Sequence, residues 1–156
     1  MSSDNKVIKT MNPATGEIIQ EYEVMTKEEV NDKVKKAQNT FQDWKKDANK
    51  RTDFLHDFAN ELRKDKENLA MTATKEMGKA IKEAKSEVEK CAWVIEYYAD
   101  NGKIFSTDEV VNTDARKTVI KFQPTGVIGS IMPWNFPYWQ ALRFAAPSLM
   151  IGNTIV

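Results

Sequence analysis

Val127-Ile128-Gly129-Ser130-Ile131-Met132-Pro133-Trp134-Asn135-Phe136-Pro137 decides how this chain is read. Val127 to Met132 is an apolar run of buried-strand length. Pro137 suits the first turn of a helix, where a missing N–H costs nothing. That helix is predicted to run to about Met150, with Gly152 ending it and Thr154 to Val156 starting another strand. Strand, tight turn, helix and strand make the opening of a parallel α/β sheet with a crossover helix. Such sheets bind ligands beyond the carboxyl ends of their strands, here the turn from Pro133 to Pro137.

Upstream, residues of about 107–124 read as two strands. Val110 and Val111 lead into a polar Asn112-Thr113-Asp114 turn, and Thr118 to Phe122 follow. A helix over about 81–101 places Val88, Cys91, Ala92, Ile95 and Ala99 on one face, and Gly102 is its expected stop. A helix beginning near Asn49 or Arg51, with Phe54, Leu55, Phe58 and Leu62 as its stripe, runs by itself or through a successor towards Met77. Another covers about 27–46, with Val30, Val34, Ala37, Phe41 and Trp44 at helical spacing. Thr26-Lys27-Glu28-Glu29 before it has the form of a capping box. The turn-rich Asn12-Pro13-Ala14-Thr15-Gly16 lies between Val7–Thr10 and Glu17–Val24, a plausible hairpin. There is neither an internal repeat nor a low-complexity linker.

Composition narrows the class. Of 156 residues, 41% are apolar and 29% charged, as in a soluble globular protein. The 23 basic and 23 acidic residues balance, so nothing draws the chain to nucleic acid or an anionic membrane. One cysteine, Cys91, allows no intrachain disulfide, which fits a reducing compartment such as the cytoplasm. The N-terminus, MSSDNKVIKT, lacks the apolar core of a signal peptide. After Asp114 the chain has no acid, and it ends on an apolar run that a soluble domain would cover. It therefore reads as an interrupted fold. Val127 to Val156 is apolar enough to raise a membrane span, but three prolines interrupt it. Arg143 near its middle would add roughly 2.5–3.5 kcal/mol on insertion scales.

Two features of the last segment carry chemistry. Asn135 offers an uncharged donor between a buried strand and a helix N-terminus. It can stabilise a developing oxyanion without a pKa shift, or it can simply cap the helix. Phe136, Gln140 and Arg143 share one helix face. Arg143 is the only charged side chain after Lys121, and a buried arginine needs an anion. A structural carboxylate and a substrate carboxylate both fit. No metal site is expected. His56 reads as a solvated surface histidine, Lys79, Glu76 and Glu83 as a solvated face, and Cys91 as a small core hydrophobe rather than a nucleophile.

These residues resemble the aldehyde dehydrogenase superfamily. The resemblance is carried by Ile131-Met132-Pro133-Trp134-Asn135-Phe136-Pro137 after Pro124-Thr125-Gly126-Val127-Ile128-Gly129, by Asn12-Pro13-Ala14-Thr15-Gly16-Glu17, by Glu76-Met77-Gly78-Lys79 with Glu83-Ala84, and by Tyr97-Tyr98-Ala99. It spans nearly the whole chain. Trp139-Gln140-Ala141-Leu142-Arg143 with Phe144 to Asn153 looks most like the succinate-semialdehyde dehydrogenase branch.

The resemblance implies an α/β fold: the N-terminal part of a Rossmann-like cofactor domain with a helical layer, incomplete at its C-terminal end. Its parts would be a hairpin and helical region over 1–106, a strand arm for oligomerisation over 107–124, and the first strand–helix–strand over 125–156. It implies Asn135 as oxyanion donor, Ile131, Met132, Pro133 and Trp134 against NAD or NADP, and Phe136, Gln140 and Arg143 facing a small-molecule aldehyde. The implied reaction is attack by a cysteine thiolate, hydride transfer to the dinucleotide and hydrolysis by glutamate-activated water. Neither that cysteine nor that glutamate occurs in these residues, so the chain alone is expected to be inactive. A full-length relative would be a cytoplasmic homo-oligomer. The other reading is a non-catalytic truncated product or interaction module.

Overall fold

The computed structural model describes residues 7–156; the first six residues of the polar N-terminus lie outside the described residues. Strands β1 (Val7–Met11) and β2 (Ile18–Glu23) form the expected antiparallel hairpin. Its turn is built by Asn12, whose Oδ1 accepts the Ala14 amide at 2.9 Å while its carbonyl accepts the Gly16 amide at 2.8 Å. Gly16 takes a φ of +75°, which suits a residue without Cβ.

Four helices follow: α1 (Lys27–Trp44), α2 (Ala48–Lys64), α3 (Lys66–Met77) and α4 (Ile81–Phe105). The capping box before α1 is present in both directions, Thr26 N to Glu29 Oε2 at 2.7 Å and Glu29 N to Thr26 Oγ1 at 3.2 Å. The α1 stripe is only partly used, since Phe41 is buried while Val30 and Val34 stay exposed. In α2 the buried face is Arg51, Leu55, Ala59 and Leu62. Phe54, expected on that face, is exposed and meets Trp44 edge-on with ring centroids 5.3 Å apart. The path to Met77 is broken at Asp65, whose φ of −95° and ψ of 11° leave the helix.

Gly102 does not end α4, which continues to Phe105. A Cβ at Gly102 would collide with the Met150 side chain. The glycine therefore permits close approach of two helices instead of terminating one.

Beyond α4, β3 (Glu109–Val111) and β4 (Thr118–Ile120) pair antiparallel as an exposed ribbon. Then β5 (Val127–Ile128), α5 (Pro137–Ile151) and β6 (Thr154–Ile155) form a parallel strand–helix–strand unit, with Val127 opposite Thr154 and Ile128 opposite Ile155. This is the expected α/β crossover, but β5 is much shorter than the predicted run to Met132. The backbone bond from Ser130 N to Val156 O at 2.8 Å follows the two paired residues, and Ile131 beyond it is wholly exposed.

The core lies between α2, α4 and α5, where Leu55, Val88, Cys91, Ile95 and Met150 are fully buried. Asn153 fastens the entry to β5, its Oδ1 accepting the Thr125 and Gly126 amides at 2.7 and 3.0 Å. Among the described residues no helix is long and apolar enough to cross a membrane.

Candidate functional site

The site residues follow from the β5–α5 joint. Ile131, Met132, Pro133 and Trp134 follow the carboxyl end of β5 after Gly129 and Ser130. Ile131 is 100% and Trp134 76% exposed, so this turn presents apolar surface beyond the strand ends. Asn135 comes next and is exposed. It is not the helix cap: the N-cap of α5 is Phe136, which makes no side-chain capping bond.

The cap comes from another helix. Pro137 has no N–H, and the next two amides, of Tyr138 and Trp139, both donate to Glu87 Oε1 on α4, at 3.0 and 2.9 Å. The other carboxylate oxygen of Glu87 pairs with the Lys79 ammonium. Lys79 Nζ in turn lies 4.1 Å from the centroid of the Phe136 ring. Glu87 is 5% and Lys79 8% exposed. Lys79 is therefore not on a solvated face, which corrects the expectation; Glu83 is exposed as expected and Glu76 half-buried.

Glu87 is absent from the expected site residues, although the sequence carries a signal for it. Ala84, Glu87, Val88 and Cys91 recur at three- and four-residue spacing, which puts the carboxylate on the buried face of α4. An acid on an apolar stripe calls for a buried partner.

Phe136 and Gln140 line one cleft between α4 and α5, together with Trp139, Lys90 and the Lys79–Glu87 pair. Lys90 Nζ stands 4.1 Å from the Trp139 ring centroid. Arg143, one turn further along α5, is not part of that lining and is exposed. The premise that a buried arginine demands a structural partner thus does not apply.

The remaining titratable groups stand apart. Cys91 is fully buried and burial pushes its thiol up to about 12, so no thiolate is available there at neutral pH. His56 is partly exposed and pairs with Asp100 at 3.0 Å. Among the described residues no cluster of three His, Cys, Asp or Glu side chains is arranged to hold a metal ion.

The sequence pattern of the family described as "Aldehyde dehydrogenase family" matches residues 1–156. A probable succinate-semialdehyde dehydrogenase (NADP(+)) of Synechocystis sp. is 46% identical over 147 residues, covering 94% of this chain and 32% of the relative. Succinate-semialdehyde dehydrogenase (NADP(+)) 1 of Mycobacterium ulcerans is 40% identical over 151 residues, covering 94% of this chain and 33% of the relative. The crystal structure of succinic semialdehyde dehydrogenase from Streptococcus pyogenes in complex with NADP+ superposes with a TM-score of 0.90 at 36% identity, over 94% of this chain and 33% of that one. The chain thus spans about a third of the length of the curated relatives it matches.

Proposed function

Since the chain belongs to the aldehyde dehydrogenase family, we propose that it supplies the oxyanion donor and part of the cofactor and substrate walls for oxidation of succinate semialdehyde to the dicarboxylate in a full-length enzyme. The observation that carries this reading is Asn135: an exposed amide at the β5–α5 joint, released from capping because Glu87 satisfies the first free amides of α5. A neutral donor fixed beside a helix N-terminus favours charge developing on an aldehyde oxygen.

Ile131, Met132, Pro133 and Trp134 would hold NADP, or NAD. The exposed apolar surface of Ile131 and Trp134 beyond the carboxyl end of β5 fits the flat face of a nicotinamide nucleotide, and the NADP(+) dependence of the named relatives favours NADP. When bound, the dinucleotide accepts the hydride. Phe136 and Gln140 border the aldehyde from the cleft side. Arg143, exposed and without a structural role that demands burial, would take the distal carboxylate by a bidentate contact.

The chain by itself offers no thiolate, since its one cysteine is buried with a raised thiol pKa. It is inactive alone on this reading. The β3–β4 ribbon leaves Val110 and Ile120 exposed, which supports a pairing arm in a homo-oligomer. The lone free thiol fits a cytoplasmic setting.

The test is Arg143→Leu in the enzyme completed to the family's length. KM for succinate semialdehyde should rise far more than KM for an uncharged aldehyde. Equal effects on both substrates would remove Arg143 from recognition.

A further inference from the structure

The α5 N-terminus is held by a line of three side chains and two amides drawn from separate elements. Gly78, with a φ of +74°, turns α3 towards α4 and delivers Lys79 into the interior. Lys79 meets Glu87, two turns into α4, and Glu87 meets the amides of Tyr138 and Trp139. The Lys79 charge also lies over the ring of Phe136, the residue that follows Asn135.

We infer that Glu87, oriented by Lys79, is a positioning residue for Asn135; this rests on the oxyanion reading given above. A helix ordinarily takes its cap from its own N-cap side chain, and asparagine is among the best at that task. Here an asparagine stands one residue before the N-cap and the capping is done from α4. The carboxylate relieves Asn135 of any duty to the backbone and leaves its amide free to donate elsewhere. Glu87 fixes the amides after Phe136 and Lys79 holds the ring of Phe136, so the peptide leading into Asn135 is constrained from the helix side. Both charges are almost fully buried. In such a setting a pair that loses one member leaves the other uncompensated, so the arrangement tolerates little displacement. Among the described residues the side of Asn135 that is anchored is the Glu87 side, while Ile131 and Trp134 before it are largely exposed.

The experiment is a double-variant cycle in the completed enzyme. Glu87→Gln should lower kcat by about 100-fold, as a displacement on the order of 1 Å does, with KM for succinate semialdehyde little changed. Glu87→Asp should recover part of the loss. Added to Asn135→Ala, Glu87→Gln should cost less than about 3-fold more, because the group it positions is already gone. Losses that multiply in the double variant would overturn the positioning role and leave the Asn135 reading intact. A normal kcat in Asn135→Ala alone would instead remove the oxyanion reading. If Glu87→Gln does not fold, Lys79→Arg, which keeps the charge but not the compact fit, carries the same cycle with the same two outcomes.

Discussion

Arg51 Nε donates to the carbonyl of Met150 at 2.9 Å, while its Nη1 donates to the carbonyl of Trp44 at 2.8 Å. One buried guanidinium thus serves the carboxyl ends of α1 and α5, where free carbonyls and the helix dipole favour a cation. With Glu87 at the opposite end, α5 is held by an anion at its amino end and a cation at its carboxyl end, both from the helical layer.

Arg51→Met should accordingly destabilise the fold by on the order of 2–4 kcal/mol, since two charge-assisted bonds are lost, one in a buried and one in a half-buried setting. Arg51→Lys should recover only part of this, because an ammonium lacks the planar fork that reaches both acceptors. Urea unfolding reads the effect. A lysine variant as stable as the parent would reduce Arg51 to a simple charge.

Gly102→Ala tests the contact between α4 and α5. In an exposed helix interior this substitution would add up to about 1 kcal/mol of stability. Against Met150 the new methyl has no room, so the expected sign is reversed, with a loss of roughly 1–3 kcal/mol. Combining it with Met150→Ala should relieve the clash. An unchanged or raised Tm in the single variant would show that α4 and α5 do not pack this closely.

Which parts were legible in the sequence follows from how local their causes are. Thr26 and Glu29 are three residues apart, so the cap they form could be read directly. The β5–α5–β6 crossover was equally readable, because apolar runs, Pro137 and Gly152 mark its boundaries within the segment. The length of β5 was not, because an apolar run sets no limit on which of its residues find a ladder partner, and only Val127 and Ile128 are paired as strand. Gly102 looked like a stop because its purpose lies in Met150, far along the chain. The break at Asp65 carries neither glycine nor proline, so no local punctuation announced it. Lys79 and Glu87 lie among Lys82, Glu83 and Lys85, and only the face of α4 that Glu87 shares with Ala84 and Cys91 separates a buried pair from a solvated one.

Arg63 gives a pH dependence whose sign is fixed. Its hydrogen bonds hold the Glu96 carboxyl below the ordinary value of 4.5. The same arginine, followed by Lys66, does so for Glu89. Both carboxylates thus bind protons less readily folded than unfolded. The stability they add is complete above the unfolded value and is lost as pH falls through the folded ones. Arg63→Met should lower Tm at about pH 7, with the deficit shrinking below about pH 4.5 as the parent loses the same contribution. Because these side chains are between 31% and 45% exposed, added salt should reduce the difference too. A deficit constant from neutral to acid pH would separate Arg63 from these carboxylates.

Donation by the Asn135 amide to the aldehyde oxygen as it gains charge is read out by kcat for Asn135→Ala in the completed enzyme, with succinate semialdehyde as substrate. The expected result is a fall of about 100- to 1000-fold, the range for losing one oxyanion donor, with circular dichroism and Tm unchanged. A kcat within a few-fold of the parent would contradict the claim.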